Sequence, residues 1–467
     1  MVWLLKYRTN KLFCYFRITK FYSLSQKYTR SVAVNMVIAN MIGTGIFTTL
    51  KYQVNADFGI PDPFAILMIW LLGGVVSLCG ATVYGEIATR INKSGGEYAF
   101  LSEIYHPIVG FVSGWVSIAI GFSAAIAALA LATGEYILPL LGMEKGDLLM
   151  GMPITKVVGT VTILIVVMVH VRGIKAGGIF QNYMTYIKLA LIAVFLTVPF
   201  IFSGNYEHSD ISFAPSDKSW DTIFSLPFAG ALVWVYFAYS GWNASSYIVG
   251  SLENPKRNLP YSLLVGTAVV TVLYLGLNYV FMYVATFDEL ERGIDLGNVV
   301  AEKILGKEVG MIFSAVFSLA LISGVSAMFI AAPRVVQEIG KDYSLFKALG
   351  KQSEGGAPRL ALLVIMVISL LMVYFLDFGK LIEFTGVTLA IFSLLTVLGV
   401  FILRYRGGDE TGVVKAWGYP FTPIIFAGIS IWMIYYFIDM KIEVIWWFLI
   451  AISPAVIIYF ISKYVRR

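Results

Sequence analysis

Charge is what this chain has least of. Charged residues make up 13% of it, about half of the roughly 25% found in an ordinary soluble domain. That is too little to coat a water-facing surface for 467 residues. Histidine is scarcer still: His106, His170 and His208 are scattered over separate helix ends and loops and make no metal-ligand spacing. The two cysteines, Cys14 and Cys79, cannot build a disulfide framework, and Cys79, inside an apolar run, reads as buried packing. No His-x-x-x-His or Gly-x-Ser-x-Gly string occurs, and no paired carboxylates stand within the apolar runs. A membrane-embedded enzyme would need one of these, so no enzyme and no cofactor is expected.

Apolar sequence is what the chain has in abundance, 58% by composition. Runs of about 20 apolar residues are long enough to cross a bilayer core, and they recur from Val32 to Tyr464. They place spans near 32–52, 63–89, 107–139, 154–171, 183–203 and 222–250, then near 261–286, 308–337, 359–376, 381–403, 421–439 and 443–463. The breaks carry turn chemistry such as Asn254-Pro255 and Gly407-Gly408-Asp409. Length and the lack of alternating ten-residue strands exclude a β-barrel. The expected class is an all-α membrane protein of about 12 transmembrane helices, embedded in the lipid bilayer.

The net charge of +6 does not point to nucleic acid, because its placement follows the membrane. Lys6, Arg8, Arg17, Arg30, Arg90, Lys93, Lys256, Arg257, Lys341, Lys351, Arg404, Arg466 and Arg467 fall on one side. Asp57, Asp62, Glu207, Asp210, Asp288, Glu289 and Glu291 fall on the other. The positive-inside rule then puts both termini in the cytoplasm. Residues 1–30 are basic and aromatic without a signal peptide's apolar core and cleavage site. They read as a cytoplasmic tail at the membrane surface or as an over-extended start.

Two spans are interrupted where they ought to be helical: the first at Gly43-Thr44-Gly45, the sixth at Ser240-Gly241-Trp242-Asn243. Such glycines can serve close helix contact alone. Their places, however, open two successive groups of five spans, and paired broken helices in matching halves point to a transporter binding site. After the first break Thr44, Gly45 and Ile46 should present unpaired N–H groups and partial positive charge, suited to a carboxylate. Before the breaks the carbonyls of Ile42, Phe237, Ala238 and Ser240 suit an ammonium. Together they describe an α-amino acid, held without a charged side chain because glycine lets the backbone approach.

The strings "NMIGTGIF", "FAYSGWNASSYIVGSLENPKRNLP" and "KAWGYPFTP" resemble the amino acid–polyamine–organocation superfamily. "YGEIATRINKSGGEYAFLSEI" and the Phe-Ala-Tyr-x-Gly-Trp core are similar to its L-type, light-chain-like amino acid transporter branch. The resemblance runs from about Ser31 to Lys463. It implies a 5+5 inverted repeat, with repeats near 31–203 and 222–403, helices 1 and 6 broken, and two extra helices near 421–463. It implies that Thr44 and Gly45 hold the substrate carboxylate, that Ile42, Phe237 and Ser240 hold its amine, and that Phe237 is an aromatic gate. Eukaryotic members of that branch couple to a glycoprotein heavy chain through an external cysteine between spans three and four. The loop "LLGMEKGDLLMGMP" has none, so no disulfide-linked heavy chain is expected and a bacterial inner membrane fits better.

Lys188 lies within the fifth span. A charge there is costly and usually works inside the protein, although a lysine near a helix end can snorkel to the surface. The resemblance implies that Lys188 replaces a bound sodium ion, which makes sodium dependence unexpected. It would hold the first helix, against Gly43, and hydroxyls on the eighth span, with Ser323 and Ser326 the candidates. Proton coupling through this amine is the alternative. Glu383 either lines the external vestibule or pairs with Lys380, and Glu86 reads as a structural contact at a helix end. The residues expected beside the substrate, Ile42, Ser123, Phe237, Trp242, Asn243 and Ser326, are apolar or small and favour neutral amino acids. Ser240 stands where some relatives carry glycine and should narrow the space beside the amine.

Overall fold

The computed structural model describes residues 27–54, 59–60, 62–144, 146–149, 151–207, 209, 211–292, 296–375, 378–408 and 410–464. The tail before residue 27, and with it Cys14, lies outside the described residues, as does His208. Helices account for most of the described residues. They are α1 (Arg30–Met41), α2 (Gly45–Val54), α3 (Pro63–Ile91), α4 (Glu97–Ile104), α5 (Pro107–Val116), α6 (Ser123–Ile137), α7 (Ile154–Val171), α8 (Ile174–Ile201) and α9 (Asp217–Ile223). There follow α10 (Leu226–Tyr239), α11 (Pro255–Val284), α12 (Phe287–Arg292), α13 (Leu296–Leu305), α14 (Lys307–Asp342), α15 (Arg359–Phe375), α16 (Phe378–Arg406), α17 (Phe421–Met440) and α18 (Glu443–Tyr464). A two-residue hairpin, Leu148–Leu149 with Met152–Pro153, caps the turn before α7.

Local chemistry starts these helices where they start. Asp62 caps α3, its carboxylate accepting from the Ala65 amide at 2.7 Å, and Pro63 supplies the preset φ of a first helical position. Thr29 caps α1 and Ser225 caps α10 in the same way. Asn92 closes α3 in the left-handed conformation, φ 50°, which its short polar side chain tolerates.

Among the described residues ten helical segments are long and apolar enough to cross a bilayer, or eleven when the bent pair Asp217–Ile223 and Leu226–Ser251 counts as one. Helix α15 is apolar but shorter, at 17 residues. The sequence expectation of about twelve therefore stands at ten or eleven by length, with α15 just under the roughly 20 residues a span needs. Bounds shift as well: α8 begins at Ile174 rather than near 183, and α11 at Pro255 rather than near 261. Polar residues such as Gln181 and Asn182 mark no boundary, because Gln181 is buried and Asn182 bonds Asn35 of α1 at 2.8 Å.

Burial sorts centre from rim. The α1–α2 segment is 83% enclosed by protein over its most apolar stretch and α14 76%, whereas α8 is 28% and α18 17% enclosed. So α1, α2 and α14 form the middle of the bundle, with α11 packed between α1 and α3. The exposed apolar side chains of α18, such as Trp446, Trp447 and Ile450, belong to a helix that faces lipid. This is a multi-pass membrane protein.

Candidate functional site

Helix α1 stops at Met41 because the chain extends there. Ile42 takes ψ 90°, and the Gly43 amide turns back onto the Met41 carbonyl at 3.0 Å. Helix α2 begins afresh at Gly45, so Gly45 and Ile46 head a new helix whose first amides lack intrahelical partners. Helix α10 stops at Tyr239, and the chain crosses Ser240 and Gly241 (φ 96°) before a 3-10 turn over Ala244–Ser251.

The two breaks lie against each other. A Cβ on Gly45 would stand 2.9 Å from the Cα of Ala238, and one on Gly241 would stand 2.8 Å from the Cβ of Asn40. Tyr274 of α11 spans both, its hydroxyl within hydrogen-bond reach of the carbonyls of Met41 and, at 2.9 Å, Ala238, which share its one proton. Lys188 is buried and donates to the carbonyls of Ile42 and, at 3.4 Å, Ala39. An ammonium thus sits on the unpaired C-terminal carbonyls of α1, where the helix dipole favours positive charge. The surface-snorkelling alternative for Lys188 does not describe this side chain.

A cavity of about 80 Å³ opens over the breaks. Of the residues expected to bind substrate, Gly43, Thr44, Gly45, Phe237, Ala238, Ser240, Gly241, Trp242 and Asn243 line it. Ile42 and Ser123 do not. The Ile42 carbonyl faces Lys188, and the Ser123 hydroxyl bonds back to the Ile118 carbonyl at 2.7 Å. Ser323 and Ser326 do not reach Lys188 with a hydrogen bond either. Ser323 bonds Ala320 within α14, and Ser326 meets the ring of His170 at 2.9 Å. A hydroxyl on a helix readily satisfies itself on the preceding turn, so position along α14 was an insufficient guide. The carbonyls expected to meet an ammonium are partly engaged: Phe237 accepts from the Ser240 amide and Ala238 from Tyr274. Each keeps a second lone pair for a ligand.

Several lining residues escaped the sequence reading. Ser117, Gly121 and Phe122 come from a π-helical turn, Ser117–Phe122, that joins α5 to α6; such turns favour functional sites and leave no pattern in a uniformly apolar run. Ser393 of α16 and Tyr247 of the 3-10 turn also line the cavity. So does Glu97, which sequence places in a polar connection between spans. Gly95 (φ 101°) and Gly96 (φ 54°) turn the chain back into the bundle, and a Cβ on Gly96 would meet the Tyr247 ring at 2.5 Å. Glu97 is therefore buried, accepting at one oxygen from Tyr84 (2.6 Å), Ser393 (2.8 Å) and Asn243 (3.1 Å). Burial pushes its carboxyl pKa up, and these three donors pull it back in part.

A wider space adjoins the cavity at one end. A vestibule of about 480 Å³, lined by Thr48, Lys51, Glu135, Tyr136, Asn298 and Ser314, shares Thr44 and Ala128 with the cavity. At the opposite end, buried Glu86 clasps Arg404 (2.6 Å), Arg90 (3.0 Å) and the Ala416 amide (2.7 Å). Arg404 also lies 3.5 Å over the Tyr419 ring. The "KAWGYPFTP" string is thereby pinned to α3 and α16, and the structural reading of Glu86 holds. The "LENPKRN" string docks as well: the Glu253 amide donates to the Tyr28 carbonyl at 3.0 Å. His106 caps α5. No group of three or more potential metal ligands occurs among the described residues. The side chains of Lys380 and Glu383 lie outside the described residues.

The profile of the family described as amino acid permease matches residues 30–461. The serine/threonine exchanger SteT of Bacillus subtilis is 28% identical over 401 residues, covering 84% of this chain and 86% of its own. The mouse b(0,+)-type amino acid transporter 1 is 26% identical, over 88% of this chain and 82% of its own. The human cystine/glutamate transporter is 26% identical, over 88% and 80%.

Proposed function

The chain belongs to the amino acid permease family, a transporter and not an enzyme, and from that premise we propose that it exchanges neutral L-amino acids across a bacterial plasma membrane without sodium. The observation that carries this reading is the contact of two broken helices beneath a small cavity. On one side stands the N-terminus of α2, with the amides of Thr44 and Gly45 offered to a carboxylate. On the other stand the carbonyls of Phe237, Ala238 and Ser240, offered to an ammonium. Phe237, half-buried at the cavity wall, serves as the gate.

Neutrality follows from the lining. The cavity meets one ionisable acid among the described residues, Glu97, and that acid is sealed by three internal donors rather than presented as a free anion. Room is limited too: at about 10–15 Å³ per water-sized occupant, 80 Å³ suits a small substrate. The Bacillus relative, by its name, exchanges serine and threonine, which supports both exchange and a small neutral substrate here. Sodium independence rests on Lys188, whose ammonium occupies the C-terminal carbonyls of α1. The basic residues gather at the Glu86 end, so that end and both termini are assigned to the cytoplasm, with no disulfide-linked partner.

Purified protein in proteoliposomes, offered a panel of radiolabelled amino acids with and without internal amino acid, tests this. Uptake that needs internal substrate and ignores sodium supports neutral exchange. Uptake into empty vesicles that rises as external pH falls replaces exchange with proton symport. Transport of polyamines alone overturns the substrate assignment.

A further inference from the structure

Glu97 presents a problem of hydrogen-bond accounting. Its Oε1 accepts three bonds, from Tyr84 of α3, Asn243 of the α10 break and Ser393 of α16. Its Oε2 is fully buried and has no hydrogen-bond partner. The titratable groups facing it are three phenols, Tyr84 on α3, Tyr236 on α10 and Tyr247 on the 3-10 turn. Among the described residues no lysine, arginine or histidine makes an ion pair with it. The nearby bases have other carboxylates, Arg90 with Glu86 and Lys93 with Glu103. A carboxylate anion with a buried oxygen that has no donor is far costlier than a neutral acid.

We propose that Glu97 is a proton-binding site of the transport cycle, occupied on Oε2 when the cavity is closed and emptied to water when the α10 break swings away from α3 and α16. The inference deepens the exchange reading and rests on it. The proton comes from the solvent on the open side, bonds to Oε2 as the site closes, and returns to solvent when the break moves and Oε1 loses its donors. No other group changes charge. Three elements meet on this one carboxyl, so its protonation state governs whether they can close. Closure of the deprotonated form would strand an anion, so exchange should slow as pH rises. Burial that favours the neutral acid agrees with this direction.

Two measurements test the site, one without substrate. A group bound to its proton more tightly in the folded state stabilises fully below its unfolded pKa, and that contribution is lost as pH rises through the folded value. The melting temperature of purified wild-type protein in detergent should therefore fall as pH rises above the ordinary carboxylate range, and Glu97→Gln should flatten that slope. In proteoliposomes, wild-type exchange should drop by about tenfold for each pH unit above the Glu97 pKa, while Glu97→Gln exchanges with a flat profile. Should Glu97→Gln fail to fold, Glu97→Asp should shift the midpoint of both profiles. Equal slopes in wild type and Glu97→Gln, or an unmoved midpoint in Glu97→Asp, overturn the proposal. The melting arm needs no amino acid, so absent transport with a Glu97-dependent melting slope would refute the exchange reading and leave the proton site standing.

Discussion

Gly45 and Gly43 look alike in sequence and differ in what surrounds them. A methyl group on Gly45 would lie 2.9 Å from backbone of Ala238, which cannot yield without parting the two breaks. On Gly43 it would meet only the end of the Leu129 side chain, at 3.3 Å. Gly45→Ala should thus cost about 1–3 kcal/mol, the usual price of overpacking, and abolish exchange, whereas Gly43→Ala should retain most of both. Thermal melting and proteoliposome uptake read the contrast, and equal effects would refute the close contact at Ala238. Lys188→Met should leave the carbonyls of Ile42 and Ala39 without their donor and reduce exchange, still without sodium dependence. A wild-type rate in Lys188→Met would remove the role given to that ammonium. Phe237→Ala should fold normally, since the ring is only half-buried, and lose most uptake; normal transport would cancel the gate.

Elements are held by contacts that sequence order hides. The clasp of Glu86 joins α3, α16 and the segment before α17 through Arg404 and the Ala416 amide. Breaking a buried ion pair by removing one partner costs about 3–5 kcal/mol, and the lower end applies because Arg404 keeps some water contact. Glu86→Ala should therefore destabilise the protein by about 3 kcal/mol and loosen the segment around Lys415. Limited trypsin digestion of intact wild type and variant checks this, with cleavage at Lys415 expected to accelerate; unchanged cleavage would mean that the segment is held elsewhere. Helix α1 is positioned from outside as well, by Tyr274 on Met41 and by Lys188 on Ile42 and Ala39. Its interruption is a property of the assembled bundle as much as of its glycines.

For the whole molecule the feature that bears on access is the wide space beside the cavity. The vestibule and the cavity share Thr44 and Ala128, while at the other end the Glu86–Arg404 pair ties α3 to α16. In a background with Cys14 and Cys79 replaced by serine, Ala128→Cys should react with a membrane-impermeant maleimide from one face of the bilayer, and saturating substrate should slow that reaction. Equal labelling from both faces would contradict entry through the vestibule alone.

How much of this was readable beforehand depends on the length scale of the signal. Apolar runs fixed the helices and the membrane, since each run must be satisfied within one segment and needs no distant partner. The paired breaks at Gly43-Thr44-Gly45 and Ser240-Gly241 were legible for the same reason, since local backbone chemistry marks them. Charge scarcity, the missing metal-ligand spacing and the family strings were equally linear. Ser323, Ser326 and Ser123 make their hydrogen bonds elsewhere in this structure, because a helical hydroxyl satisfies itself on its own turn or on a neighbour that sequence does not name. The partner of Glu86 stands at Arg404, and Glu97, which lies between the second and third spans in sequence, joins the cavity only where Gly95 and Gly96 fold it inward against Asn243 and Ser393. Sequence determined that the chain folds into many apolar helices long enough to cross a bilayer. Only the tertiary structure decided which polar groups meet across segments, because burial and hydrogen-bond pairing are set by neighbours hundreds of residues away.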